Sequence, residues 1–200
     1  MAKKSMIDIL KELPPLFRKV DLEKWTPGSP VFLNRAIGKG WISRIQRGYY
    51  VNFFLKGWPE VEETGCYLRA PAYVSGEWAL HAHGVLLQVP QICMIVTLKG
   101  SVGRSRAVTY RGILFDFSRI DPSLFFGFER RERYDLATAE KALLDLLYLR
   151  GALPVSDELE LGELDSRRIL DFSKRYPGTV RKKIEDLMDR GRIRQAQSSP

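Results

Sequence analysis

The stretch from Ser29 to Val51, SPVFLNRAIGKGWISRIQRGYYV, constrains this chain more than any other. Ser29 can cap a helix, and Pro30 suits the first helical position, where its missing N–H has no intrahelical partner to lose. Leu33, Ala36 and Ile37 fall on one face and are expected to pack inward, while Asn34, Arg35, Gly38 and Lys39 fall on the other. Gly40 stops the helix, and Trp41 and Ile42 open a strand. Gln46-Arg47-Gly48 makes a turn whose glycine takes a positive φ, and Tyr49, Tyr50 and Val51 return as the partner strand. A short helix, a glycine stop and a tight ribbon with an arginine- and lysine-rich polar face is the pattern of a recognition helix followed by a wing, the second half of a winged helix-turn-helix.

The residues before it supply the other helices. Ser5 is expected to cap a helix over 6–13, with Ile7, Leu10 and Leu13 at helical spacing, ended by Pro14-Pro15. A second helix is expected from Leu16 to about Trp25, with Val20, Leu22 and Trp25 in the core. In such a module the third helix enters the major groove, where Asn and Arg hydrogen-bond base edges, and the wing follows a phosphate track or the adjacent minor groove. The expected contacts to double-stranded DNA are therefore Ser29, Asn34, Arg35 and Lys39 on the helix, and Arg44, Arg47 and Tyr49 on the wing. From the residues alone, a module that binds protein, with the winged helix as scaffold, stays open as the alternative.

Charge supports a polyanion partner. The net charge of +8 over 200 residues is uneven: +7 in residues 1–56, −3 in 57–160 and +4 in 161–200. No run of 18 apolar residues is present, and MAKKSMIDILKEL lacks the uninterrupted apolar core of a secretory signal, so a cytoplasmic protein with no membrane partner is expected. Cys66 and Cys93 fit a reducing compartment and have no metal-type spacing.

The middle reads as a separate unit. Residues 57–69 are expected to form a linker, 70–190 a mixed domain of strands bracketed by helices, and 191–200 a fraying tail. A helix starts at Ser75 or Gly76 and ends at Gly84, a buried strand runs from Ile92 to Leu98, and a pair of strands flanks Arg111-Gly112. Thr138 caps a strong amphipathic helix, LATAEKALLDLLYLRG, and two helices split by Pro177-Gly178 follow. The fold class is α+β or α/β.

No catalytic constellation emerges. His81 and His83 lie two apart on a predicted helix, on different sides, which suits structure better than a shared metal. Cys93 reads as core, and Cys66 as an exposed linker residue with no histidine nearby. Asp116 should point away from Phe115 and Phe117, and Glu140 and Asp145 share a face poorly. A protein that is not an enzyme, with no cofactor and no metal, is expected; a nucleic-acid enzyme using Asp116 and a divalent metal is a weaker alternative. Lys99, Arg104, Arg106 and Arg111 form a second basic cluster, and Glu129–Arg133 a run of mixed charge expected to pair locally. The protein-binding alternative would be supported by an exposed apolar patch at Phe125, Phe126 and Phe128.

Three segments in this order, a winged helix ending in RGYYV, then YVSGEWALHAHGV, then AEKALLDLLYLRG, span most of residues 1–150, and together they resemble the AbiEi family of antitoxins and antitoxin-like regulators. The resemblance implies a bacterial type IV toxin–antitoxin role. The N-terminal module would bind repeats in its operon's own promoter, with two copies per operator and a monomer in solution. The domain from about residue 70 would counter a nucleotidyltransferase-like toxin without a stable complex. Carried over by position, the DNA-binding part falls on Asn34, Arg35, Lys39, Arg44 and Arg47.

Overall fold

The computed structural model describes residues 4–54, 57–154, 159–190 and 193. The fold is α+β, with a three-stranded sheet near the N-terminus and a mixed six-stranded sheet in the rest. Helix α1 (Met6–Glu12) starts on the expected cap: Ser5 Oγ accepts from the Asp8 N–H, and the Asp8 carboxylate accepts from the Ser5 N–H, both at 3.2 Å. Ile9, Leu10 and Leu13 turn inward, and Ile7, expected in the core, is exposed on the far side.

The stretch expected as a helix from Leu16 to Trp25 divides. Leu16–Arg18 is strand β1, antiparallel to β3 (Tyr49–Asn52) with Leu16 opposite Val51. Pro14-Pro15 keeps the chain extended as it reaches Leu16, and the open edge of β3 offers backbone partners that a helix would leave unmet. Only Lys19–Leu22 is helical, as α2. A single turn buries one side chain, Leu22, and leaves Val20 and Trp25 exposed.

Helix α3 (Ser29–Gly38) lies where the sequence places it, with Phe32, Leu33 and Ala36 buried. Its N-cap is Gly28, not Ser29, and no side chain caps it. Ile37, expected in the core, is 40% exposed. Gly40 at φ +70° stops the helix, and β2 (Ile42–Gln46) pairs with β3 around a turn in which Gly48 takes φ +84°. The sheet order is β1-β3-β2.

Residues expected to form a linker fold instead as α4 (Val61–Arg69). Its apolar face packs on the large sheet so closely that a Cβ on Gly65 would stand 2.6 Å from Ile95 Cδ1. Such contact needs glycine at that position. The sheet comprises β4 (Ala72–Ser75), β5 (Ile92–Thr97), β6 (Val108–Tyr110), β7 (Ile113–Arg119), β8 (Phe128–Arg130) and β9 (Asp135–Ala137), in the order β6-β7-β5-β4-β9-β8. The β5–β7 and β4–β9 pairs are parallel and the others antiparallel. Helix α4 covers the face bearing Ile95 and Phe115. Helices α5 (Gly76–Ala82) and α6 (Ala139–Leu149) cover the face bearing Met94, with α7 (Ser166–Ser173) and α8 (Gly178–Asp189) packed beyond α6. Thr138 caps α6 by accepting from the Lys141 N–H.

The two units share packing. Leu16 and Val51 of the small sheet belong to the same apolar core as the large sheet, Phe53 stacks on Trp58 at 4.7 Å, and Tyr49 meets Tyr67 edge-on at 6.0 Å. The tail expected to fray lies outside the described residues except Ile193, which is buried. Among the described residues no helix is long and apolar enough to cross a membrane.

Candidate functional site

Helix α3 and the β2–β3 hairpin present one basic surface. Asn34 and Arg35 are exposed on α3 and Lys39 at its C-cap, Arg44 is exposed on β2, and Arg47 sits at the turn. Between helix and hairpin runs a cleft of about 580 Å³ lined by Arg18, Asn34, Ile37, Arg44, Arg47 and Tyr49. Six of the seven residues expected to act together therefore lie on or beside one surface. Ser29 does not: it is 1% exposed, with its hydroxyl directed at the Glu23 carboxylate at 3.4 Å, so its side chain is closed to any ligand. Tyr49 is half-buried against Tyr67 and lines the cleft.

Pairing separates these cations from their neighbours. Arg18, Lys19 and Lys24 each meet Asp21 or Glu23 within 3.1–3.6 Å. Arg35, Lys39, Arg44 and Arg47 have no carboxylate partner among the described residues, and Lys39 rests its ammonium 4.6 Å above the Trp41 ring. Unpaired surface cations are the groups that can exchange counterions for phosphates.

The second basic cluster stands beside the hairpin. A cleft of about 580 Å³ is lined by Arg47, Tyr49, Arg69, Lys99, Ser101 and Arg106. On the hairpin's other side a cleft of about 470 Å³ brings Arg44 together with Trp58, Tyr110 and Arg111. Arg69 braces the first: it is buried, its guanidinium donates to the Ser101 carbonyl at 2.9 Å and the Gln46 side chain at 3.5 Å, and it stacks on Phe117. Lys99, Arg104, Arg106 and Arg111 are exposed and also lack carboxylate partners among the described residues. Sequence reasoning named these four residues but had no means of placing Lys99 and Arg106 on one side of the hairpin and Arg111 on the other.

A polar cluster that sequence reasoning missed lies inside the second unit. The Lys141 ammonium pairs with Asp145 and donates to the Tyr73 and Tyr176 hydroxyls at 2.9 and 2.7 Å. Asp145 accepts from Tyr73, Ser75 and Tyr176 at 2.7–2.9 Å. Burial lowers the Lys141 pKa against the pull of Asp145, and raises both tyrosines well above their usual range. Every Lys141 proton has an acceptor and both Asp145 oxygens are filled, so the cluster is closed and holds β4, α6 and the turn after α7 together. The Lys141/Asp145 spacing of four residues was the available signal, although that spacing alone does not tell a buried pair from an exposed one.

The remaining candidates are structural. His81 Nδ1 lies 3.0 Å from the Leu86 carbonyl and His83 Nε2 2.8 Å from that of Ala137. Cys66, expected exposed, is buried on α4, which pushes its thiol up to about 12. Asp116 points away from Phe115 and Phe117 and pairs with Arg150. No three His, Cys, Asp or Glu side chains converge on a metal-sized site among the described residues. Phe125, Phe126 and Phe128 are not an exposed patch; they pack against Tyr73, Phe172 and Tyr176.

No protein-family model and no curated protein matches the chain. Among solved structures, the RV2827C protein from Mycobacterium tuberculosis has a similar fold, with a TM-score of 0.60 at 13% identity over 93% of this chain and 75% of that one.

Proposed function

We propose that the protein is a cytoplasmic, double-stranded-DNA-binding transcriptional regulator that acts by occupying a promoter rather than by catalysis. One observation carries this reading: of the described exposed cations in the N-terminal unit without carboxylate partners, all but Lys11 on α1 gather at α3, its C-cap and the hairpin beside one cleft. Three helices with a three-stranded sheet in this order are the parts of a winged helix-turn-helix, with α3 as recognition helix and the hairpin as wing. The resemblance to AbiEi antitoxins extends the reading: autorepression at promoter repeats, two copies per operator, and a second unit that counters a nucleotidyltransferase-like toxin.

The test is fluorescence-anisotropy binding to DNA from just upstream of the protein's coding region, with a scrambled duplex as control, at low and moderate salt. Specific, salt-sensitive binding supports the reading and makes toxin co-expression the next step. Equal weak binding to both duplexes overturns it.

A further inference from the structure

Helix α3 carries a strip with no charge between two rows of cations. Val31, Asn34 and Gly38 stand at i, i+3 and i+7, and Ile37 adjoins them on the hairpin side. Val31 and Ile37 are 56% and 40% exposed, although both are apolar. Arg35 and Lys39 flank the strip on one side and Arg44 and Arg47 on the other, and α3 contains no Asp or Glu.

Gly38 is the independent clue. Glycine weakens a helix relative to alanine, and nothing in the fold requires it here. Its φ is not positive, and a Cβ built on it meets nothing within 4 Å. The helix stop is made two residues later by Gly40. A helical glycine facing open space, with no packing reason, suits a surface that another body approaches closely.

We infer that this strip reads a thymine-containing A·T step on the floor of the major groove: Asn34 pairs with adenine, Ile37 covers the thymine methyl, and Gly38 lets the helix sit low enough for both. The chemistry is complementary. The Asn amide offers one donor and one acceptor to adenine N7 and N6, and an apolar side chain is the partner of the one apolar group in the groove. Of the flanking cations, Lys39 on one side and Arg44 and Arg47 on the other face the phosphate rows that border that floor, and Arg35 is left to a neighbouring base. This inference rests on the DNA-binding reading and adds to it the base chemistry recognised.

The test uses the full chain. Duplexes enriched from a random-sequence pool give the preferred site, and each thymine in it is then replaced singly by deoxyuridine, which removes only the methyl group. One such replacement should weaken wild-type binding about three- to fivefold, and Ile37→Ala should bind the thymine and uracil duplexes alike. Gly38→Gln should raise Tm by up to about 4 °C while weakening binding about tenfold or more, a combination that a misfolded variant cannot produce. Sequence-specific binding that ignores every uracil replacement and survives Gly38→Gln overturns the inference and leaves the DNA-binding reading standing. Failure of the pool to enrich any sequence overturns both.

Discussion

Residues 35–47 and residues 129–133 are both dense in arginine, and they behave oppositely. In the second run each arginine has found a carboxylate: Arg130 meets Asp135 at 3.2 Å, Arg131 meets Glu129 at 3.6 Å, and Arg133 reaches Glu63 at 3.5 Å. In the first run Arg35, Lys39, Arg44 and Arg47 meet none among the described residues. Net charge per segment does not distinguish the two cases well, because a paired arginine presents a neutral dipole and an unpaired one presents a full charge. The difference lies in where the fold sets the acids, and it leaves the cations from α3 through the hairpin to Lys99 and Arg106 open to a polyanion.

The comparison has a third and extreme member in the buried Lys141–Asp145 pair, where the largest effect is expected. Lys141→Ala leaves Asp145 without its cation in the interior and should cost about 3–5 kcal/mol, measurable by urea denaturation. Intact stability would mean that the network is not holding α6 to β4. Next in size, replacing Arg35, Lys39, Arg44 and Arg47 together by alanine should lower the slope of log affinity against log salt by about 3–4 units, with Tm nearly unchanged; an unaltered slope would remove these cations from the DNA surface. Within that set, Arg35→Ala should relax preference at one base position by about 1–3 kcal/mol if it reads a guanine, whereas Arg47→Ala should weaken all duplexes alike. Competition between single-base variants of the preferred duplex separates the two. The smallest effect belongs to the paired run: alanine at Arg130, Arg131 and Arg133 should cost about 0–1 kcal/mol per exposed pair and leave DNA affinity where it was. A fall in affinity there as large as in the first run would erase the contrast.

Legibility in the sequence followed the range of the interactions involved. Helix α3, the turn at Gly48 and the capped helix α6 are set by neighbours within a few residues, and their positions were readable. Strand β1 was not, because Leu16 and Phe17 carry no alternation long enough to mark a strand, and their state is decided by Val51 and Tyr50 more than thirty residues later. Strands β8 and β9 are three residues each and were hidden in a charged run for the same reason. Helix α4 was masked by Pro59, Glu60 and Gly65, which look like loop composition, although Gly65 is there because Ile95 presses on it. Of the candidate site, the cations were visible and their lack of carboxylate partners was not. Ser29 looked like a cap because serine commonly caps, yet Gly28 takes that place and tertiary packing buries the hydroxyl beside Glu23.

The replacement of the expected linker by α4 bears on how two copies would share an operator under the proposed function. A module on a flexible tether lets its partner domain follow it around the duplex, so the spacing between repeats matters little. Here Leu16, Val51, Tyr49 and Phe53 bind the first unit to the second. On the DNA-binding reading proposed above, the second unit's bearing would therefore be set by the groove that α3 enters. If neighbouring copies touch through their second units, inserting half a helical turn between repeats rotates one copy to the opposite side of the duplex and breaks that contact, while a full turn restores the facing. Under the proposed function, the helical phase of an operator would be a property written into the packing of this chain.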